Sequence, residues 1–372
     1  MVQGTASFEL GSAGGKPQIK GTSTVALSAG FYHYLKYYAN CSVSVGAQQL
    51  ALPNVLPLPP PSKHPSPMQF HWFGSFMANS YTQAFWAWER WEAHLDWCAL
   101  MGFDLVMVYA GAEHVHAEVY LEMGLTEEDL GSFFSGAAFL GWSSTRAGNI
   151  RGLAGPISPA WRANKAELGK KIVARCRELG ITPVLSGFNG HVPEALVKRL
   201  HPQANHTRAR PWNGFNCTDV GSHAAANQPV ASPPAVAPPY GCGFELEPTD
   251  PLFVKIGARF IQKQAETFGD DLHFFAAIQF TEEIPSAQST LQPTGNPEYL
   301  AAWGHATYTA MANADSEAVW VLDGWFANAN GEPWFWCGAN KTHAQHYLSQ
   351  VPIGTGSLCL CLCACLCRCL CR

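Results

Sequence analysis

The stretch "FWAWERWEAHLDWCALMGFDLVMVYAGAE", Phe85 to Glu113, changes its period in the middle. Apolar residues at Trp88, Trp91, Leu95, Trp97 and Leu100 have the spacing of a helix, and Gly102 stands where such a helix ends. From Leu105 the run "LVMV" is continuously apolar, as in a strand covered on both faces, and it leads into a loop that carries Glu113. A helix followed by a buried strand is the building unit of a parallel sheet.

The unit recurs. "KAELGKKIVARCRELGI" precedes "TPVLSGFNGHVPE", "LFVKIGARFIQKQAETFGDD" precedes "LHFFAAIQFTEE", and "PEYLAAWGHATYTAMANAD" precedes "SEAVWVLDGW". In every unit, polar or aromatic residues gather just past the strand: Glu113, then His191 and Glu194, then Glu282, then Asp323 and Trp325. Both a (β/α)8 barrel and an open doubly wound sheet keep their active sites there. No glycine-rich phosphate loop follows the first strand, which favours the barrel; "GSAGG", Gly11 to Gly15, lacks a strand-loop-helix context and is read as flexible sequence.

Ahead of the barrel, "QIKGTS" is extended, "TVALSAGFYHYLKYYA" has helical spacing with Ser23 or Thr24 as N-cap, and "CSVSVGAQQLAL" alternates like strands. This is a small α/β domain closed by the proline-rich Pro53 to Pro67, a semi-rigid linker whose prolines exclude a helix or a central strand. The expected organisation is a small N-terminal α/β domain over residues 1–66, an incomplete (β/α)8 barrel over 67–353, and a low-complexity Cys-Leu tail over 354–372.

Composition narrows the class. Hydrophobic residues make up 47% of the 372 residues and charged residues 14%, which excludes a disordered chain. A net charge of -5 without a basic block excludes a nucleic-acid groove, which needs Lys and Arg along many phosphates. No segment approaches the ~18 apolar residues of a membrane span, and "MVQGTASFELGSAGG" has no basic or apolar signal-peptide region. Asn40, Asn205, Asn216 and Asn340 each begin an Asn-X-Ser/Thr glycosylation triplet, which matters only in a secretory chain. Of 13 cysteines, six lie in the body; Cys217 and Cys242 flank a Pro/Ala-rich insertion and suit a disulfide in an oxidising compartment.

Among the candidate catalytic groups, Glu282 and Glu283 in "FTEE" are adjacent on a strand end, so they face opposite ways and are not a catalytic pair. The alternative role for both is to favour the start of the helix ahead of Pro285. Glycoside hydrolysis needs two carboxylates about 5–5.5 Å apart for retention or ~6.5–9.5 Å for inversion, from different strands. "EHVH", Glu113 to His116, offers alternating metal ligands but no third at a recognisable spacing, so neither metal nor other cofactor is expected.

The motifs "EAVWVLDGW", "GHVPEALV", "DWCALMGFDLVMVYAGAE", "VYLEMGLTEEDLGSFFSGAAFLGW" and "FNC" followed by "PTDPLF" together resemble glycoside hydrolase family 89, from about Lys20 to Pro352. The resemblance implies retaining exo-hydrolysis of terminal α-linked N-acetylglucosamine from glycans such as heparan sulfate, in a lysosomal, vacuolar or secreted setting. It places Glu282 on the family's acid/base glutamate, with Thr281 where the family has Asn, a shorter group with fewer hydrogen bonds for a 2-acetamido substituent. Glu113 matches a substrate-hydroxyl ligand, Ala112 standing where the family has Gln; the alternative is a carboxylate bonded to local backbone amides. His191 is a candidate sugar contact or a structural histidine, Trp325 a candidate pocket wall, and Trp142 and Trp212 lesser ones. The nucleophilic glutamate of the family lies beyond the position matching Pro352. The expectation is therefore a chain truncated before its nucleophile, the tail "LCLCLCACLCRCLCR" being a translated repeat or, otherwise, a thiolate metal binder or a strand with every Cys on one face. The alternative is an inactive N-acetylglucosamine-binding protein. The sequence leaves the oligomeric state open.

Overall fold

The computed structural model describes residues 6–74, 78–142, 152, 154–208, 243–277, 296–322, 341–352 and 357–358. In chain order the elements begin with β1 (Ser7–Ala13), β2 (Lys16–Gly21), α1 (Thr24–Tyr37), β3 (Ser42–Val43), β4 (Gln48–Gln49), β5 (Ser62–Pro65) and β6 (Trp72–Phe73). There follow α2 (Ala78–Tyr81), α3 (Trp88–Met101), β7 (Leu105–Met107), α4 (Ala112–Glu122), α5 (Glu127–Gly131), α6 (Pro159–Leu179) and β8 (Thr182–Ser186). The rest are β9 (His191–Val192), β10 (His206–Arg208), β11 (Phe244–Leu246), α7 (Pro251–Phe268), β12 (Phe274–Ala276), α8 (Pro297–Ala312), β13 (Val319–Val321), α9 (Lys341–Leu348) and β14 (Ser357–Leu358). By contact the chain divides into two compact units, one of Met1–Ser75, Trp86–Val108 and Leu168–Val184, the other of Phe76–Phe85, Tyr109–Glu167 and Leu185–Arg372.

In the first unit, β1 and β2 form an antiparallel hairpin paired from Phe8↔Gly21 to Ala13↔Lys16. Its turn is Gly14-Gly15, at φ 57° and 71°, the left-handed pair that a tight two-residue hairpin requires. "GSAGG" is thus a strand end and a turn, not flexible sequence; the glycines that suggested mobility are there for backbone conformation. Strand β5 pairs with the other side of β1, Ser7↔Pro65 to Leu10↔Ser62, so part of the proline-rich stretch completes the sheet. An edge strand tolerates proline because its outer N–H groups need no ladder partner. Helix α1, capped by Ser23 Oγ accepting from Ala26 N at 3.1 Å, lies against this sheet through Gly30, where a Cβ would sit 2.9 Å from Phe8 and Ile19. Leu10, Tyr34, Leu35, Ala39 and Cys41 close the core there.

The same unit contains the start of the parallel sheet, with β6, β7 and β8 side by side. Helix α3 stops at Gly102 in the left-handed conformation, as the sequence predicts. Its buried stripe is Trp91, His94, Leu95, Cys98 and Ala99, while Trp88, Trp97 and Leu100 are half-buried, so the stripe is rotated from the expected one. A histidine in the seam conceals it. The His94 ring packs edge-on against Phe73 and Trp86 at 5.0 and 5.2 Å, and burial pulls its pKa down to about 4, so it serves as an apolar filler.

In the second unit the parallel order continues as β8, β12, β13, β14. Ser357 and Leu358, which the sequence reading assigns to the tail, pair in parallel with Trp320 and Val321 of β13. The helix-then-strand units are those expected: α6 ends at Gly180, α7 at Gly269 and α8 at Asn313. Helix α7 buries Leu252, Phe253, Ile256, Phe260, Ile261 and Phe268, an i, i+3/i+4 stripe. Asp250 caps it and ties it down: one carboxylate oxygen accepts from Leu252 N at 2.9 Å and the other from Asn205 N at 2.7 Å. Helix α8 meets α9 at Gly304, where a Cβ would overlap the Tyr347 carbonyl. On the outer face, Arg259 of α7 forks onto Glu122 of α4 at 2.8 and 2.9 Å, and with Lys263 holds the Glu122 carboxyl down at about 2. No helix among the described residues is long and apolar enough to cross a membrane.

Candidate active site

A parallel barrel offers its active site where the strands end, so the candidate residues are followed from those ends. After β7 the chain turns at Tyr109–Gly111 and enters α4, and Glu113 sits in the first turn of that helix, not in a loop. Gly111 makes this entry possible with φ 96°. Glu113 is buried there. The Lys165 ammonium lies close enough for Glu113 to oppose the lowering of its pKa by burial, and it donates to the Ala84 carbonyl at 3.0 Å. "EHVH" is therefore helical, so His114 and His116, two positions apart, do not share a face as they would on a strand. The His116 ring packs at 4.3 Å on Phe260. Among the described residues no group of three His, Cys, Asp or Glu is arranged to hold a metal ion.

After β8, Gln264 of α7 donates from Nε2 to both the carbonyl and the hydroxyl of Ser186 at 2.9 Å, fixing the strand end. Past Gly187–Gly190 the chain forms β9, the edge of a small antiparallel sheet ordered β10-β11-β9. His191 stands opposite Glu245 in that ladder, and Glu245 stands opposite Thr207 on the other side. The His191 side chain is 3% exposed, with Nδ1 3.8 Å from Glu245 Oε1. Tyr120 of α4 donates its hydroxyl to the His191 carbonyl at 2.9 Å, so the helix that carries Glu113 also braces β9. Burial takes the His191 pKa down to about 4, so the ring is neutral at neutral pH.

Next along the chain, Glu247 is also buried and accepts the Tyr299 hydroxyl at 2.8 Å. Burial raises its pKa, while the Tyr299 hydrogen bond and the nearby His206 oppose the rise. Tyr299 feels both Glu245 and Glu247, so the two acids and the phenol form one buried polar cluster. The sequence reading passed over Glu245 and Glu247. Their signal is "FELE", where acids alternate with Phe244 and Leu246 and so share one face of a strand.

Glu282, Glu283, Thr281, Asp323, Trp325 and Trp212 lie outside the described residues, as do Cys217, Cys242, Asn216, Asn340 and the side chain of Trp142. Glu282 follows β12 in the chain as Glu113 follows β7, a few residues past the strand end. Asn40 and Asn205 are exposed.

This arrangement has solved relatives. A family 89 glycoside hydrolase from Clostridium perfringens, in complex with PUGNAc, matches with a TM-score of 0.75 and 27% identity over 95% of this chain and 35% of its own. A second structure of that organism's enzyme, with its substrate GlcNAc-alpha-1,4-galactose, matches with a TM-score of 0.71 and 28% identity over 91% of this chain and 35% of its own. The class is thus that of barrel proteins built like the family 89 glycoside hydrolases, with a small α/β domain ahead of the parallel sheet. Human alpha-N-acetylglucosaminidase is 36% identical over 353 residues, 94% of this chain and 42% of the human protein. The pattern of the alpha-N-acetylglucosaminidase TIM-barrel domain matches residues 72–362, and that of its N-terminal domain residues 2–58. The chain belongs to the alpha-N-acetylglucosaminidase family, and spans less than half the length of these relatives.

Proposed function

We propose that the protein containing this chain is a retaining exo-glycosidase that removes terminal α-linked N-acetylglucosamine. The observation that carries this is the TIM-barrel match over residues 72–362, which includes both Glu113 and Glu282. In the proposed reaction Glu282, protonated, gives its proton to the leaving glycosidic oxygen while a second carboxylate attacks the anomeric carbon from the opposite face. Glu282 then takes a proton from the water that releases the sugar. The second carboxylate is assigned to sequence that the longer relatives have and these 372 residues do not span. Glu113, His191, Thr281 and Trp325 are assigned to holding the sugar.

An acid needing a proton and a nucleophile needing a charge work together best below neutral pH, which suits an acidic compartment. Heparan sulfate fits as a source of such termini. Within these 372 residues, of net charge -5 and without a basic block, sulfate recognition would rest on single local contacts.

Binding of PUGNAc to the chain, followed by calorimetry, tests the sugar-holding half of this reading. Saturable binding that free N-acetylglucosamine competes away, and glucose does not, is expected. Binding that glucose displaces equally well would remove the 2-acetamido specificity, and no binding would remove the reading.

A further inference from the structure

The pairing of His191 with Glu245 determines more than a contact. His191 is buried, and among the described residues neither ring nitrogen has a hydrogen-bond partner. Buried polar atoms in folded proteins are normally satisfied, so an imidazole with both nitrogens open marks a place where a ligand group is expected. The two nitrogens are not equivalent. Nδ1 faces the Glu245 carboxylate at 3.8 Å, too far for a hydrogen bond but close enough for charge to act in a buried setting.

A neutral imidazole carries one N–H and one bare nitrogen. A carboxylate accepts and does not donate, so it favours the N–H on the nitrogen that faces it. That leaves Nε2 bare. The Tyr120 hydroxyl is spent on the His191 carbonyl, and the Tyr299 hydroxyl on Glu247. The ladder register that sets Glu245 against His191 fixes the geometry through the backbone.

We propose that Glu245 sets the tautomer of His191, so that Nε2 is presented as a hydrogen-bond acceptor to a hydroxyl or amide N–H of the bound sugar. Glu245 is then a positioning residue and His191 the contact. This rests on the proposed function, because the donor is supplied by the sugar.

The test is nitrogen NMR of the 372-residue chain labelled with 15N-histidine, at pH 6, with the His191 signals assigned by their loss in His191→Asn. In the ligand-free chain the proton is expected on Nδ1, with Nε2 bare. Saturating PUGNAc is expected to move the Nε2 resonance. Glu245→Gln is expected to shift the tautomer balance and to weaken PUGNAc about tenfold, the worth of one hydrogen bond. A proton resident on Nε2 in the ligand-free chain would overturn the role of Glu245, and needs no variant to fold. An Nε2 resonance unmoved by bound PUGNAc would overturn the sugar contact. Failure of PUGNAc to bind at all would count against the glycosidase reading and the contact together, while the ligand-free tautomer still decides the role of Glu245.

Discussion

Replacing Glu282 by Gln is expected to lower turnover of an α-linked N-acetylglucosaminide by about a hundred- to ten-thousand-fold, the range for loss of a general acid/base. The amide keeps the shape of the side chain but has no proton to give at working pH. Sugar binding should therefore persist, with PUGNAc affinity changed by less than about tenfold. Substrates with an activated aryl leaving group should lose less in the first step, since they need little protonation to depart. Glu283→Gln is the internal control: strand alternation predicts that adjacent residues face opposite ways, so this variant should leave turnover near that of the parent. The assay belongs in the longest natural protein that contains this sequence. Equal losses for the two variants, or a silent Glu282→Gln, would take the acid/base role away from Glu282.

Gly111→Ala is expected to destabilise the second unit by about 2–4 kcal/mol, from two separate causes. The φ of 96° is a region that an L side chain enters only with strain. The added Cβ would also lie 2.8 Å from the Ala166 Cα and 2.9 Å from Phe268 Cζ. The phenyl ring can swing, but the Ala166 contact is helix backbone and cannot. Relief requires α4 to move, and Glu113 rides on its first turn. Denaturant unfolding should show the loss in midpoint, with weakened PUGNAc binding in the variant that remains folded. An unchanged midpoint would mean that the α4 entry is looser than its geometry indicates.

The elements legible in the sequence are those whose signals are local. Gly102, Gly180 and Gly269 end helices α3, α6 and α7, and the apolar runs that follow are the parallel strands. What stayed hidden depends on partners distant in the chain. Glu-His-Val-His imitates the alternation of a strand, and its helix declares itself only through the turn at Gly111. Strands β9, β10 and β11 are two or three residues each, too short for a period, and exist because they pair with one another. Glu245 and Glu247 look like surface charges until the ladder buries them beside His191 and Tyr299. His191 and Glu113 are candidates by their position after a strand end, which is a property of barrels rather than of either residue. The proline-rich stretch shows the converse, since its prolines rule out a central strand and leave an edge strand open.

The most direct measurement is time-resolved proton NMR of GlcNAc-alpha-1,4-galactose with the longest natural protein that contains this chain, watching which anomer of N-acetylglucosamine appears before mutarotation. Release of the α-anomer first is expected, as two displacements through a covalent intermediate require. Release of the β-anomer first, or no release from a folded protein that binds PUGNAc, would contradict it.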